Sequence, residues 1–397
     1  MQMVTRIFYV DRFVRYSANI VNSLEKMLSR RDDYELLFLG PTDKNSHWLS
    51  NQTISNSKKV WSRGKYVRSL YRYIKLNKAD IIHISFELRT FGSLFSAVKF
   101  PLLLFLLGRT KTKVVVTLHN ILAFKKNSAW MPVEDVPLSI PRFLVSILTR
   151  WFIRTICNQS DKIIVTTHAG KQGLVEYYGI DKEKIETIRE GFMVSEMQID
   201  DSKRKKFSDL FYDRNVILAF GVITPRKGLD NAINAFKLIH DKLPNHVLVI
   251  AGTTNPEFKY YEDMLHHLAK KLELEKKIIF TGFVDNDEVE ILFDIAKIIV
   301  YVYLPSVAGS GSLSFAVQNG KPIVATKIDT FLEILGPDDA LFVKPSDDKQ
   351  LADAILEIAT NEKLRLKLEQ NVKKLANSRS WDDVAADHLT LYEKLLA

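Results

Sequence analysis

Residues 216–235, VILAFGVITPRKGLDNAINA, constrain the fold more than any other stretch of the chain. The apolar run 217–220 has the length and composition of a buried strand, and it stops at Gly221. A loop follows. Lys227 and Gly228 then lead into a segment that sets Leu229, Ala232, Ile233, Phe236 and Ile239 on one helical face. Strand, glycine turn, paired cations and helix N-terminus describe an anion site at the carboxyl end of a parallel sheet. Arg226 offers a planar fork for phosphate oxygens, and Lys227 a compact point charge. The same two residues also fit a plainer reading, as solvated loop cations.

A second stretch repeats the pattern. Residues 298–326, IIVYVYLPSVAGSGSLSFAVQNGKPIVAT, read as a buried strand, Pro305, a small-residue loop, a short helix, Gly320 and another buried strand. Gly309, Ser310, Gly311 and Ser312 let main-chain amides approach a ligand closely, because no large side chain intervenes. A helix over 312–318 would point its positive end, beginning at Ser312 and Leu313, into that loop. Two anion-ready loops in successive strand–helix units of one domain argue for a bound anion more strongly than either alone.

The order and spacing of these pieces resemble the retaining, nucleotide-sugar-dependent glycosyltransferases of family 4. GVITPRKGLDNAINAF, IIFTGFVDNDEV, the YLPS…GKPIVAT block and a closing SWDDVAADHLTLYEKLL carry the resemblance in the C-terminal half. KVVVTLHNI and SDKIIVTTHAGKQGLVEYYGIDKEKIETIREGF carry it more thinly in the N-terminal half. The resemblance implies the GT-B fold, two Rossmann-like α/β domains facing each other across a cleft. It implies a first, acceptor-binding domain over 1–195, with a C-terminal helix at about 382–397 returning to pack on it. The nucleotide-sugar domain would occupy 212–378. In this frame Arg226 and Lys227 hold the donor diphosphate and His119, at the end of the 113–118 strand, reaches the donor sugar. Gly221, Gly282 and the 309–313 loop line the donor. His168 is a further cleft-lining candidate. No metal and no cofactor beyond the donor substrate are expected. Asp285, Asn286 and Asp287 superficially resemble a metal-binding DxD, but Asp287 before Glu288 and Val289 reads better as a helix cap.

The chain departs from the family pattern at one place. Most relatives carry two glutamates eight positions apart around the glycine-rich loop, one on the donor sugar and one on the ribose hydroxyls. Val307 and Phe315 stand at those positions, and no glutamate occurs between Glu290 and Glu333. Asp294 and Asp329 are the carboxylates of that interval, on the preceding helix and in the loop after the 322–325 strand. A retaining transfer rests mainly on the leaving diphosphate, so the expected activity stays a metal-independent, retaining glycosyl transfer to a glycan or lipid-linked acceptor. The alternative is a non-catalytic relative that scaffolds an active transferase.

Composition bears on the acceptor side. The net charge of +9 is uneven: residues 51–150 hold 17 Lys and Arg against 4 Asp and Glu. A basic face implies an anionic partner. Arg12 and Arg15, in a loop predicted over 12–16 ahead of a helix capped by Ser17, are candidates for an acceptor phosphate. FPLLLFLLG (100–108) is too short to span a bilayer, and it reads equally as a core helix or as an interfacial anchor. IPRFLVSILTRWFIRTI (140–156) repeats its basic-apolar character. The single Cys157 excludes an internal disulfide and reads as a buried thiol. With no apparent signal peptide, the expected location is the cytoplasm, with peripheral attachment to the inner membrane face. Nothing resembles a nucleic-acid module.

Overall fold

The computed structural model describes residues 4–12, 14–42, 54, 56–62, 64–88, 90–92, 94–119, 142–192, 201–304 and 311–397. The chain divides into two compact units, one running to Gly191 and taking in Trp381–Ala397, the other running from Phe192 to Ser380.

The first unit is a seven-stranded parallel sheet. Its strands are β1 (Thr5–Val10), β2 (Tyr34–Pro41), β3 (Ser57–Trp61), β4 (Ile81–Phe86), β5 (Lys113–Leu118), β6 (Lys162–Val165) and β7 (Ile185–Thr187). They lie in the order β3-β2-β1-β4-β5-β6-β7, so the winding direction reverses between β1 and β4. Strands such as IIHISF are buried along their whole length, as a sheet covered on both faces requires. The helices are α1 (Val14–Leu28), α2 (Tyr66–Asn77), α3 (Leu94–Ala97), α4 (Phe100–Leu107), α5 (Arg142–Gln159) and α6 (His168–Tyr178).

The C-terminal helix Trp381–Leu396 returns to this unit and packs against α1. It buries Val384, Ala385, Leu391 and Tyr392 in the cluster that holds Ile20, Val21 and Leu24. Exposed ion pairs, Lys26 with Asp382 at 2.7 Å and Arg31 with Glu393 at 2.8 Å, border the contact; exposed pairs of this kind add little to stability. Inside, His83 meets the Tyr392 hydroxyl at 2.5 Å through Nδ1 and the Thr117 hydroxyl at 2.7 Å through Nε2. Burial holds its pKa well below the usual histidine range, so the ring is neutral.

The second unit is a six-stranded parallel sheet: β8 (Asn215–Phe220), β9 (His246–Ala251), β10 (Ile278–Gly282), β11 (Ala296–Tyr301), β12 (Ile323–Thr326) and β13 (Ala340–Val343). The order β10-β9-β8-β11-β12-β13 reverses between β8 and β11. Its helices are α7 (Asp201–Leu210), α8 (Leu229–Ile239), α9 (Lys259–Lys271), α10 (Asn286–Ile295), α11 (Leu313–Gln318), α12 (Asp329–Leu332), α13 (Asp348–Thr360) and α14 (Glu362–Ala376).

Four local expectations need correction. Helix α1 begins at Val14, so Ser17 lies inside its first turn instead of capping it, and Arg15 is helical. Ser57–Trp61 forms an edge strand where an irregular stretch was expected; its SKKVW sequence exposes both lysines, a pattern that discourages pairing with another sheet edge. Helix α10 is capped by Asp285 and not Asp287, with Glu288 accepting from the Asp285 N–H at 3.4 Å. Asp329 opens helix α12 and does not lie in a loop. Helix α4 bears out the core reading of FPLLLFLLG on one side: Phe100, Leu103, Leu104 and Leu107 are fully buried, while Leu102 and Phe105 are exposed.

Candidate functional site

In a doubly wound sheet, ligands bind outside the carboxyl ends of the strands where the winding reverses, because the two adjoining loops turn away from each other there. In the second unit that place is between β8 and β11. The chain leaves β8 at Gly221, makes a single tight helical turn over Pro225–Lys227, and passes Gly228 into α8. Gly228 has φ +59°, and a Cβ there would lie 2.3 Å from the Val302 carbonyl oxygen. Only glycine lets this loop press against the segment that leaves β11. The Leu304 N–H donates to the Arg226 carbonyl at 2.9 Å and staples the two loops together.

This closeness brings side chains together across the reversal point. The Lys227 ammonium donates to the Tyr303 hydroxyl and lies 3.8 Å from the centroid of that ring. The Tyr303 hydroxyl is in turn 3.1 Å from Ser312 Oγ. Tyr301 donates to the Ser312 carbonyl at 2.6 Å, and Thr326 Oγ1 donates to the Tyr303 carbonyl at 2.8 Å. The Arg226 guanidinium stands 5.4 Å over the Tyr303 ring. Lys227 and Arg226 are both half-buried, whereas Tyr303 is buried. An ammonium bonded to a phenol that is itself tied to Ser312 is held in place instead of sweeping through solvent, and a fixed cation stabilises charge with little reorganisation.

The edge around it is stripped to backbone. A Cβ at Gly221 would meet Lys227 Nζ at 3.2 Å, and one at Gly252 would lie 2.1 Å from the Gly221 carbonyl oxygen. The Gly252 N–H donates to the Gly282 carbonyl at 3.0 Å, while the space beside Gly282 is open. Thr224 is buried, and its hydroxyl has no partner among the described residues. Gly311 is exposed, and Ser312 precedes α11 with Leu313 as the first helical residue. Gly309, Ser310 and Val307 lie outside the described residues. Phe315 is half-buried and packs its ring 5.6 Å from Phe293 and 6.1 Å from Phe220. Asp294 pairs with Arg204 at 2.5 Å on the outer side of α10.

The first unit presents different chemistry at its own carboxyl edge. Asp11 follows β1 and is buried, Glu87 follows β4, and Glu190 follows β7. Burial, then the negative charges of Asp11 and Glu190, push the Glu87 carboxyl up to about 7; burial pushes Glu190 up to about 7 as well. His119, at the end of β5, has Nε2 2.9 Å from the Ser85 hydroxyl. Burial, then the neighbouring His388, lowers its pKa to about 4, so the ring is neutral at physiological pH. Arg12 is half-buried beside Asp11, its N–H on Asp11 Oδ1 at 2.5 Å. The Arg15 side chain and Asn120 lie outside the described residues. His168 is exposed at the start of α6. Cys157 is buried, and its thiol is pushed up to about 12, as an inert core thiol should be.

Each half of the chain matches a family model. Residues 200–375 match the model described as "Glycosyl transferases group 1", and residues 20–195 match "Glycosyltransferase Family 4". The chain belongs to glycosyltransferase family 4. Relatives of this family 4 chain include the O-antigen chain mannosyltransferase RfbU of Salmonella typhimurium, 25% identical over 248 residues, or 62% of this chain and 65% of that one. The mannosylfructose-phosphate synthase of Agrobacterium fabrum is 25% identical over 60% of this chain and 54% of its own. The matched stretches thus span less than two thirds of these relatives' own lengths. Among solved structures, Anabaena Alr3699/HepE in complex with UDP-glucose superposes with a TM-score of 0.74 at 17% identity, covering 97% of this chain and 99% of that one. Sucrose-phosphate synthase from Thermosynechococcus elongatus gives 0.75 at 16% identity, covering 99% of both chains. These likenesses establish the GT-B fold of the family 4 chain.

The sequence pointed to Lys227, Arg226, Gly221 and Gly282, and the second unit brings the first three around one loop with Ser312. It did not point to Tyr303, because YVYL reads simply as the end of a buried strand. Nor did it point to Gly252, the glycine whose contact with Gly221 closes the edge.

Proposed function

We propose that this glycosyltransferase moves a sugar, with retention at the anomeric carbon, from a nucleoside-diphosphate sugar to a glycan or lipid-linked acceptor. The observation that carries this is the Lys227 ammonium fixed by Tyr303 beside Ser312, at the strand reversal of a sheet edge cleared of side chains. A fixed cation there faces the group that gains charge as the sugar–phosphate bond breaks. The UDP-glucose bound by the Anabaena neighbour supports a nucleotide sugar as the donor class. Arg226 adds a second positive charge, and the protein's own cations then do the work that a metal ion does elsewhere.

In the step itself the bond from the anomeric carbon to the phosphate oxygen breaks. The acceptor oxygen bonds to that carbon from the same face. The acceptor proton passes to the departing diphosphate. Neutral His119 serves as a hydrogen-bonding group for a sugar hydroxyl and not as a nucleophile. Main-chain amides at Gly311, Ser312 and Leu313, and at Gly309 and Ser310, are assigned to the donor, and Arg12 and Arg15 to the acceptor. The basic first half fits an acceptor carried at the cytoplasmic face of a membrane, to which the protein attaches peripherally.

The test is release of nucleoside diphosphate from a panel of nucleotide sugars. Lys227→Ala should lower turnover by about 100- to 1,000-fold with the melting temperature retained. Added chelator should leave turnover unchanged. If no nucleotide sugar is turned over, with or without candidate acceptors, the reading as an enzyme fails and the non-catalytic alternative stands.

A further inference from the structure

Helices α2, α4 and α5 form one layer on the first unit, with α4 in contact with both of the others. Their sequences, YVRSLYRYIKLN, FPLLLFLL and RFLVSILTRWFIRTICNQ, contain six cations and no carboxylate. Each helix buries one stripe in the core: Tyr66, Leu70 and Ile74 on α2, Phe100, Leu103, Leu104 and Leu107 on α4, and Ile153, Ile156 and Cys157 on α5. What distinguishes the layer is its outer side. On α5, Leu144, Ile147, Leu148 and Trp151 follow helical spacing along a second apolar stripe, with Ile147, Leu148 and Trp151 each about 60% exposed. On α4, Leu102 and Phe105 are also exposed. A soluble surface has no use for an outward stripe of this kind.

Cations frame the apolar ridge. On α2, Arg68, Arg72 and Lys75 are exposed and recur at helical spacing on one outward stripe. On α5, Arg150 and Arg154 flank Trp151 and are exposed. Beyond α4, the Arg109 guanidinium lies 3.7 Å over the centroid of the Phe105 ring. The charge therefore rests on the aromatic face at the edge of the apolar ridge, as a cation–π contact. Among the described residues no helix is long and apolar enough to cross a membrane.

We propose that the outer face of α2, α4 and α5 is a docking surface for an anionic lipid bilayer. Ile147, Leu148, Trp151 and Phe105 enter the acyl boundary, and the arginines engage headgroup phosphates. An apolar ridge combined with a carboxylate-free cationic border matches the interfacial binding mode, in which burial and charge attraction add. The purpose assigned to the contact, reaching a membrane-borne acceptor, rests on the proposed transferase function; the contact itself does not.

Flotation with phosphatidylcholine vesicles, with and without phosphatidylglycerol, tests it on the full chain. The wild type should float with the anionic vesicles and far less with the neutral ones. The triple variant Ile147→Ser, Leu148→Ser, Trp151→Ser and the triple variant Arg68→Gln, Arg72→Gln, Lys75→Gln should each lower vesicle partition at least about tenfold. Both should keep the wild-type melting temperature, since these side chains lie outside the core, and both should keep vesicle-free donor turnover. Trp151 fluorescence should be quenched by brominated lipid in the charge-retaining protein. Three results would overturn the proposal: a wild type that stays unbound, an apolar variant that floats as the wild type does, or a wild-type dimer that the apolar variant turns into a monomer. The last would assign the ridge to a second copy of the chain. Loss of donor turnover without vesicles would bear on the transferase reading alone.

Discussion

The two units share one plan and differ in what they place at its most exposed point. Both wind a parallel sheet in two directions from a central pair of strands, β1 with β4 in the first and β8 with β11 in the second. In the second, the reversal point holds Lys227 and Arg226 around Tyr303, on an edge of closely packed glycines. In the first, the corresponding edge carries Asp11, Glu87 and Glu190 with a neutral His119. The same topology therefore supplies two cations set around a phenol in one unit and a set of carboxyls with a neutral imidazole in the other. Fold position decides where a ligand sits; the few residues after each strand decide its charge.

The largest effect is expected at the glycines. If the second unit's edge depends on backbone packing, Gly252→Ala should be costly, because a Cβ there collides with the Gly221 carbonyl oxygen and φ is +136°. A loss of about 3 kcal/mol in urea unfolding is expected, with donor turnover falling as the Gly221 loop shifts. The exposed, open-sided Gly179→Ala is the control: it has a positive φ but meets nothing within 4 Å, so its cost should be about 1 kcal/mol.

A smaller effect sharpens the role of the phenol. Tyr303→Phe keeps the ring under Arg226 and Lys227 but removes the hydroxyl that links Lys227 to Ser312. A charged hydrogen bond of this kind contributes about 1.5–3 kcal/mol, so kcat should fall about tenfold or more while the fold is kept. If Tyr303→Phe turns over donor at the wild-type rate, Lys227 is held by something else and Tyr303 is only core.

The mildest effect belongs to the first unit and is read in pH. Glu87 and Glu190 have folded pKa values of about 7, above the ordinary 4.5. The folded chain thus keeps protons that the unfolded chain has released. Stability from this source should decline as pH rises from about 4.5 to about 7 and then level off. Glu87→Gln with Glu190→Gln should flatten that decline in denaturation curves taken across the range. His119, lowered to about 4, acts in the opposite direction: the unfolded chain takes up its proton first, so stability falls on acidification from 6.5 toward 4. An unchanged slope in the double glutamine variant would mean that neither carboxyl is buried as described.

The second unit was the more legible from sequence. Two of its strands are short, largely buried apolar runs that stop at glycines, VILAF before Gly221 and VLVIA before Gly252, and buried parallel strands leave that signature. Edge and cap positions were harder. Ser57–Trp61 alternates poorly and carries two lysines, so nothing in its composition separates it from a loop. Ser17 reads as a cap by residue type, yet α1 already runs from Val14. Lys227 was visible as a cation in a loop, but its phenol partner was not. Pairing across a strand reversal depends on which strands become neighbours, and β8 and β11 are about eighty residues apart in the chain. The double character of FPLLLFLLG was likewise undecidable from composition, since one apolar helix can face the core and the outside at once.

We propose that the reversal point of the second unit holds a nucleoside diphosphate through Lys227. Calorimetric titration of a panel of nucleoside diphosphates into the wild type, Lys227→Ala and Glu87→Gln tests it without depending on acceptor or sugar. The expected result is saturable binding of at least one diphosphate to the wild type, weakened about tenfold or more by Lys227→Ala and unchanged by Glu87→Gln. Equal affinity in wild type and Lys227→Ala, or a loss confined to Glu87→Gln, would contradict it and move the anion site to the other unit.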